Sequence, residues 1–212
     1  MHEAILFDLD GTLIDSIELI IRSYEHTLRE HGKPAASRDQ ILGYIGIPLR
    51  THLVAYASSE AEVQEMMVTY RAWNHLHHDE FVRPFPGVDS MLASLKAQNT
   101  TIAVVTSKLS DAAWRGLSHC KLEHFFDVLI GADDVDKHKP DPTPLLVACS
   151  RLGVEPTRSV YVGDSVHDMA AACAAEMGAI GAGWGPFDAE ALTVAGAQCV
   201  LDSPEDVAGI LR

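Results

Sequence analysis

Length, composition and charge exclude several classes of protein for this chain. Its 212 residues suit one domain or one domain with an insert, and 47% hydrophobic with 22% charged residues is typical of a soluble globular protein. The net charge of −14 disfavours nucleic acid and anionic membranes as partners, because their phosphates would be repelled. The chain shows no signal peptide, no apolar run of membrane-spanning length and no Cys-x-x-Cys pair among its four cysteines, so we expect reduced, mostly buried thiols in a cytoplasmic protein.

The first predicted element is a buried strand that ends in acids. Residues 4–7 form a continuous apolar run, which is typical of a strand covered on both faces, and Asp8 and Asp10 follow it. Asp10 precedes Gly11, and this pair also suits a simple turn. A calcium loop is disfavoured, because the glycine comes too early and a strand precedes it. The functional alternative is that both carboxylates lie at the edge of a sheet and take part in chemistry.

Residues 16–84 are predicted to form an all-helical insert. Apolar positions from residue 17 to residue 28 recur with helical spacing, and residues 61–77 indicate a second long helix. No convincing strand pattern interrupts the insert. The proline-rich segment of residues 83–87 predicts a stiff hinge through which the chain returns to the sheet domain. We therefore divide the chain into a core of residues 1–15 and 85–212 and a helical domain between them.

Beyond the insert, apolar runs alternate with helical segments. The runs rich in Val and Ile are residues 102–105, 128–130, 159–162 and about 179–182. Asp141-Pro142 is typical of a helix start and Gly153 of a helix end, and Ser203-Pro204 begins a last helix in the same way. The alternation predicts an α/β fold with a doubly wound (Rossmann-like) parallel sheet, in which ligands bind at the carboxyl ends of the strands.

Polar side chains lie near the predicted carboxyl ends of several strands. In chain order they are Thr106, Ser107, Lys139, Asp164 and Asp168. All of these except Asp164 have a structural explanation of their own: a helix cap for the hydroxyls, a surface position for the lysine, and a capping box for Asp168. Because these explanations are independent, their coincidence with the acids after the first strand favours one functional site.

The order of these motifs resembles the haloacid dehalogenase superfamily of phosphotransferases. The Asp-x-Asp-x-Thr motif of that superfamily matches residues 8–12, and its hydroxyl, lysine and acidic motifs match Thr106, Lys139 and residues 163–168. The match spans the whole predicted core with the usual spacing, and the insert between the first two motifs corresponds to a helical cap. The resemblance implies a phosphatase, that is, a hydrolase of phosphoric monoesters.

The resemblance also implies a role for each matched residue. Asp8 is the implied nucleophile that forms an aspartyl-phosphate, and Asp10 is the implied acid and base that protonates the leaving oxygen and then activates water. Lys139 and Thr106 would stabilise the transferring phosphoryl group by charge and by a hydrogen bond. Backbone N–H groups would complete the phosphate cradle, namely those of Leu9, Asp10 and Ser107.

A divalent cation is part of the implied site. Mg²⁺ would contact an Asp8 oxygen, the Asp10 backbone carbonyl and the Asp164 carboxylate, which are all hard oxygen ligands. Asp168 would position the metal shell rather than ligate the ion. The cation matters physically because a carboxylate and a phosphate repel each other at the distance that attack requires.

The resemblance indicates the reaction more clearly than it indicates the substrate. Residues 44–50 resemble the substrate-facing loop of caps in this class, and Arg50 would then bind a second anionic group of a small phosphorylated metabolite. Trp184 followed by glycine resembles phosphoglycolate phosphatases, whereas residues 70–74 with His78-Asp79 resemble bacterial pyrophosphatases of the superfamily. Phosphoglycolate is thus the first expectation and inorganic pyrophosphate the alternative.

Three other interpretations stay open. A sugar-phosphate mutase of this superfamily tends to use a cap lysine, and the one lysine of the insert, Lys33, lies in a predicted loop. A regulatory module that only binds a phosphate ligand would not need both a nucleophile and a proton carrier. A histidine cluster in the insert lacks a clear helical ligand face, so we expect it to be solvated or packed rather than to bind metal; its members are His75, His77 and His78. The sequence makes no prediction of the oligomeric state.

Overall fold

The computed structural model describes residues 3–211, and a parallel sheet forms its centre. The strands of the described residues are β1 (Ala4–Phe7), β2 (Ile14–Asp15), β3 (Arg83–Pro84), β4 (Thr101–Val105), β5 (Leu129–Ile130), β6 (Ser159–Gly163), β7 (Gly178–Ala182) and β8 (Cys199–Leu201). Six of them form the parallel sheet in the order β5-β4-β1-β6-β7-β8. Residues 1, 2 and 212, which belong to the predicted core, lie outside the described residues.

β1 lies in the middle of the sheet, between β4 and β6. Phe7 is level with Val104 on one side and Val162 on the other. The backbone N–H of Asp8, the next residue, donates to the Val162 carbonyl at 2.9 Å. The chain runs outward from β1 to β4 and β5 and then returns to the other side of β1 as β6. The carboxyl ends of β4, β1 and β6 therefore meet at a topological switch point, where doubly wound sheets bind ligands.

Helices cover both faces of the sheet. Side chains of a strand alternate between the two faces, so a continuous apolar strand needs cover on each of them. The helices of the described residues are α1 (Ile17–Glu30), α2 (Arg38–Leu42), α3 (Leu49–Leu53), α4 (Glu60–Phe81), α5 (Val88–Ala97), α6 (Ser110–His119), α7 (Thr143–Leu152), α8 (Val166–Ala174) and α9 (Ala189–Val194). Ile5 and Phe7 pack into one hydrophobic cluster with α5 and α6, whereas Ala4 and Leu6 pack into a second cluster with α7 and α8. The predicted α/β, doubly wound fold with a helical insert is confirmed.

The first four helices form a separate packing unit. Their buried side chains make a third hydrophobic cluster, in which α1 packs against α4; its members include Ile21, Leu28, Leu53 and Met66. β2 and β3 pair antiparallel, with Ile14 opposite Pro84. This pair lies at the two positions where the insert is predicted to begin and end. Two-residue strands carry no alternation pattern, which is why the sequence did not indicate them.

Three local predictions differ from the structure. β8 is missing from the prediction, since it has only three residues, of which one is exposed and two are partly exposed. α7 begins at Thr143 rather than Pro142, and Asp141 caps this start by accepting the Thr143 N–H at 3.0 Å. The last predicted helix is a 3₁₀ helix (Pro204–Leu211), because helix-start signals do not distinguish the two hydrogen-bond patterns.

The cysteines and the helix lengths bear on two further expectations. All four cysteines are unpaired, as predicted. The expectation that they are mostly buried is wrong, since Cys173 and Cys199 are exposed and Cys120 is partly exposed. No described helix combines the length and the apolar character that a membrane crossing requires.

Candidate active site

A buried lysine between two carboxylates forms the centre of the candidate site. Lys139 Nζ lies 2.9 Å from Asp8 Oδ1 and 2.5 Å from Asp168 Oδ1. It also donates to the Tyr161 hydroxyl at 2.9 Å. Burial alone would lower the pKa of the lysine, but the charges of Asp168 and Asp8 outweigh burial and raise that pKa. The ammonium group therefore stays charged at the carboxyl edge of the sheet.

Asp168 caps α8 and holds the lysine at the same time. Its Oδ2 accepts hydrogen bonds from the Ser165 N–H at 3.0 Å and the Ser165 hydroxyl at 2.6 Å. Its Oδ1 accepts from Lys139 and, at 3.2 Å, from Tyr161. The capping box that sequence reasoning offered as an alternative is thus present, and it does not exclude a place in the site. With both oxygens bonded, Asp168 is suited to orienting the lysine.

Two buried carboxylate oxygens receive no hydrogen bond from the described residues. One is Asp164 Oδ2, and the other is Asp8 Oδ1, which has only its ionic contact with Lys139. Thr12 Oγ1 donates to the second oxygen of Asp164 at 2.7 Å. Oxygens of Asp8, Asp164 and Asp168 lie within 4.8 Å of one another. Because open lone pairs on hard oxygens fit a divalent cation, Asp8 and Asp164 are the side chains best suited to hold one.

Burial makes the negative charges of this cluster costly. It raises the pKa of Asp8 from 3.8 to about 7, although Lys139 opposes the shift, and Asp168 adds to it. Burial also raises the pKa of Asp164 well above its ordinary value, and the charges of Asp8 and Asp168 contribute. A bound cation would favour the ionised forms and so reverse both shifts.

Glycine allows the loop after β1 to pass close to Asp164. Gly11 has a φ of +91°, and a Cβ at this position would overlap the Asp164 carboxylate. Gly185 approaches the same aspartate from the loop after β7, where a Cβ would overlap its side chain too. These close approaches enclose the carboxylate and account for its complete burial.

Asp10 lies beside the cluster and has partners of its own. Its Oδ1 accepts hydrogen bonds from Lys108 Nζ at 2.6 Å and from the Ser16 hydroxyl at 2.5 Å. The side chains of Lys108 and Asp10 are only 14% and 13% exposed, so little water competes for this pair. Lys108 is a site residue that sequence reasoning missed. Its position two residues after Thr106, beyond the end of a strand, was the available signal.

The loop after β4 places two hydroxyls at the site. Thr106 Oγ1 accepts the backbone N–H of Lys108 at 3.2 Å, which leaves its own proton free for donation. Ser107 Oγ donates to the Gly46 carbonyl at 2.6 Å and so ties this loop to the helical insert. Leu9 is fully buried between the two acids, and its carbonyl accepts hydrogen bonds from the turn that follows.

A cavity of about 550 Å³ lies between the sheet edge and the helical insert. Asp8, Asp10 and Thr106 line it from the sheet, and Tyr24 and Tyr70 line it from α1 and α4. A volume of this size suits a small-molecule ligand. The remaining predicted residues of the charged cluster are buried behind this wall: Lys139, Asp164 and Asp168.

Cationic side chains line this cavity although the whole chain is strongly acidic. They are Arg50, Arg71, Lys108 and Arg115. Arg50, which we expected to bind a second anionic group, is 51% exposed and pairs with Glu60 at 2.5 Å. The structure therefore places Arg50 at a half-exposed position of the cavity lining, where it pairs with an acidic side chain of the insert.

The histidines of α4 serve as packing and pairing groups. Arg115 of α6 contacts His75 Nδ1 at 2.6 Å and Asp79 Oδ1 at 3.1 Å. Asp79 Oδ1 also lies 2.7 Å from His78 Nδ1. These contacts join the insert to the sheet domain beside the cavity. Among the described residues, the aspartate cluster is the only group of acids, histidines or cysteines spaced to hold a metal, and the histidines do not form one.

His52 provides a test of the packing inside the insert. It is 4% exposed, and its Nδ1 lies 2.7 Å from the Tyr24 hydroxyl. Burial, and then the nearby His167, lowers the pKa of His52 from 6.5 to about 4. The unfolded chain therefore takes up this proton at a higher pH than the folded protein. Stability is lost as the pH falls from about 6.5 to about 4, by at most about 3 kcal/mol for this residue.

We expect His52→Gln to weaken the loss of stability in acid. Thermal melts between about pH 7 and pH 4.5 should show a shallower decline of Tm for this variant than for the wild type. His124→Gln, at an exposed position, is the matched control and should follow the wild type. Parallel curves for wild type and His52→Gln would contradict the prediction.

Comparison with known proteins gives consistent matches over nearly the whole chain. Residues 5–182 match the family model for haloacid dehalogenase-like hydrolases. The chain is 39% identical over 204 residues to the pyrophosphatase PpaX of Bacillus velezensis, covering 96% of this chain and 94% of the relative. A hydrolase from Pseudomonas syringae has a TM-score of 0.89 at 26% identity, covering 99% of this chain and 97% of that one. A predicted phosphoglycolate phosphatase from Haemophilus somnus has a TM-score of 0.88 at 25% identity, covering 100% and 98%.

Proposed function

The chain belongs to the haloacid dehalogenase-like hydrolases and is a phosphatase, and we propose that it is a Mg²⁺-dependent one that forms an aspartyl-phosphate at Asp8. The observation that carries the proposal is the buried pair of Asp8 and Asp164. Among the described residues no group donates a hydrogen bond to Asp164 Oδ2, and the partner of Asp8 Oδ1 is the charged Lys139 at 2.9 Å. Such a pair is suited to holding a cation beside a nucleophile.

In the proposed reaction an oxygen of Asp8 bonds to phosphorus while the bond from phosphorus to the leaving oxygen breaks. Lys139 offsets the charge of the phosphoryl group, and the Thr106 hydroxyl donates a hydrogen bond to it. Asp10 protonates the leaving oxygen and then takes a proton from the water that hydrolyses the aspartyl-phosphate. The phosphoryl group is held by backbone N–H groups of Leu9, Asp10 and Ser107.

The proposed Mg²⁺ site uses residues whose donors fit a hard cation. Asp8 and Asp164 would supply carboxylate oxygens, and the Asp10 backbone carbonyl would supply a third ligand. When bound, the ion supplies positive charge that offsets the repulsion between the Asp8 carboxylate and the phosphate. Asp168 keeps Lys139 in place, because its two oxygens accept hydrogen bonds from Lys139 and Ser165, and it would position the metal site rather than ligate the ion.

We propose inorganic pyrophosphate as the substrate. The support is the 39% identity over 96% of this chain to a protein named as a pyrophosphatase. Phosphoglycolate, the first expectation from the sequence, is the second candidate, and the fold similarity to a predicted phosphoglycolate phosphatase favours it. Orthophosphate release from both compounds, at equal concentrations and with Mg²⁺ present, ranks them directly. A mutase would transfer phosphate between sugar positions without releasing orthophosphate, and a binding module would release none.

Chelation of divalent cations is expected to reduce turnover by more than about 100-fold, and added Mg²⁺ should restore it. A second readout does not depend on activity. Mg²⁺ should raise the Tm of the wild type, because a ligand that binds only the folded state stabilises it, and it should not raise the Tm of Asp164→Asn. Asp127→Asn, whose side chain is 95% exposed, is the control and should respond like the wild type. An equal response of Asp164→Asn would argue against the proposed site.

A further inference from the structure

Lys108 lies where the candidate catalytic acids meet the cavity. Its backbone is fixed on both sides, since its N–H donates to Thr106 Oγ1 at 3.2 Å and its carbonyl accepts the Ala132 N–H at 2.8 Å. Its side chain lines the same cavity as Asp8, and its Nζ contacts Asp10 Oδ1 at 2.6 Å. A substrate that presents its phosphoryl group to Asp8 and its leaving oxygen to Asp10 would therefore have its leaving portion near Lys108.

The other cations of the cavity are less suited to binding the leaving portion, because they are more exposed to water. The side chains of Arg50 and Arg115 are 51% and 31% exposed. Arg71 lies at an exposed position. Lys108 is only 14% exposed, and charge attraction is stronger where less water screens it. An anionic group in the cavity therefore gains most from Lys108.

The ammonium group of Lys108 also has donors to spare. A lysine ammonium carries three N–H donors, and contacts among the described residues use one of them, to Asp10. The remaining two can bind oxygens of a ligand while the contact with Asp10 is kept.

We propose that Lys108 selects substrates whose leaving group carries a negative charge of its own, and this rests on the proposed phosphatase function. Pyrophosphate and phosphoglycolate both meet this condition, since a phosphate or a carboxylate stays on the departing portion. When the departing portion of a monoester is uncharged, Lys108 keeps its contact with Asp10 and adds no binding energy for the substrate. Lys108 thus acts as a specificity residue, and Arg50 at its half-exposed position contributes less.

The first test compares substrates with and without the extra charge. For Lys108→Met we expect the ratio of kcat/KM for pyrophosphate to kcat/KM for p-nitrophenyl phosphate to fall about 30- to 100-fold. The ratio for phosphoglycolate should fall in the same sense. Lys108→Arg keeps the charge and should retain most of the ratio, and Lys137→Met, a lysine 70% exposed, should not change it. An unchanged ratio in Lys108→Met would overturn the proposal.

The second test measures binding without turnover, in an Asp8→Asn background with Mg²⁺ present. Calorimetric titration should show that adding Lys108→Met weakens pyrophosphate binding at least about 10-fold, while orthophosphate binding changes less than about 3-fold. Equal losses for both ligands, or no loss for pyrophosphate, would overturn the assignment. Failure of the proposed function would be seen differently: the wild type would release no phosphate from pyrophosphate, phosphoglycolate or p-nitrophenyl phosphate. The binding comparison would still decide the role of Lys108 in that case.

Discussion

Asp8→Asn is expected to abolish phosphate release, with a fall in kcat of at least about 10⁴-fold. The carboxamide has nearly the same shape as the carboxylate, but it lacks the anionic oxygen that bonds to phosphorus. Lys139 keeps its contact with Asp168 at 2.5 Å, so the rest of the cluster stays in place. Turnover of pyrophosphate and p-nitrophenyl phosphate, followed by orthophosphate release with Mg²⁺ present, measures the effect.

The same variant should stay folded and lose none of its stability in metal-free buffer. The pKa of Asp8 is raised to about 7, so the folded protein holds this proton more tightly than the unfolded chain. The stability that Asp8 contributes is present below about pH 4 and is lost as the pH rises toward about 7. Asp8→Asn removes this loss, and its Tm near neutral pH should be no lower than that of the wild type. Substantial remaining turnover in a folded Asp8→Asn protein would rule out Asp8 as the nucleophile; Asp127→Asn is the surface control.

Lys139→Met is expected to lower both activity and stability. The wild-type lysine is the cation that contacts the buried acids, and without it three carboxylates with oxygens within 4.8 Å of one another share no positive charge. Removal of one partner from a buried ion pair costs about 3–5 kcal/mol. Loss of its charge at the phosphoryl group should reduce kcat at least about 10³-fold. Thermal melts and orthophosphate release measure the two effects.

Metal and pH separate the electrostatic explanation for Lys139 from a simple packing defect. Mg²⁺ should restore part of the lost Tm of Lys139→Met, because it neutralises the acids, but it should not restore turnover. The destabilisation should be larger near pH 8 than near pH 5, since burial raises the pKa of Asp8 and Asp164 and their protonation at low pH relieves the repulsion. Lys137→Met, two residues away and exposed, should melt like the wild type. If the decrease in Tm of Lys139→Met is the same with and without Mg²⁺ and at both pH values, its cause is lost packing instead.

The helix-cap signals show how far local patterns reach toward the site. Ser165 and Asp168 form the capping box that their spacing predicts, but the spacing predicts no contact beyond the helix start. The second function of Asp168, its contact with Lys139, joins residues 29 positions apart. Tyr161 gave no signal at all, because an aromatic residue in an apolar strand usually indicates core packing, although its hydroxyl bonds to Lys139.

The sequence by itself determined five of the six strands of the parallel sheet, the helical insert and the order of polar residues near the strand ends. These features depend on local periodicity and on short apolar runs. Parallel strands bring their carboxyl ends to one edge of the sheet whatever side chains the loops carry. Only the tertiary structure decided which polar atoms meet. The contact of Asp10 with Lys108 spans 98 residues, and that of Thr12 with Asp164 spans 152. Such pairings depend on register, loop path and burial, which no local pattern encodes, and for this reason the sequence did not indicate Lys108, whose side chain is only 14% exposed beside Asp10.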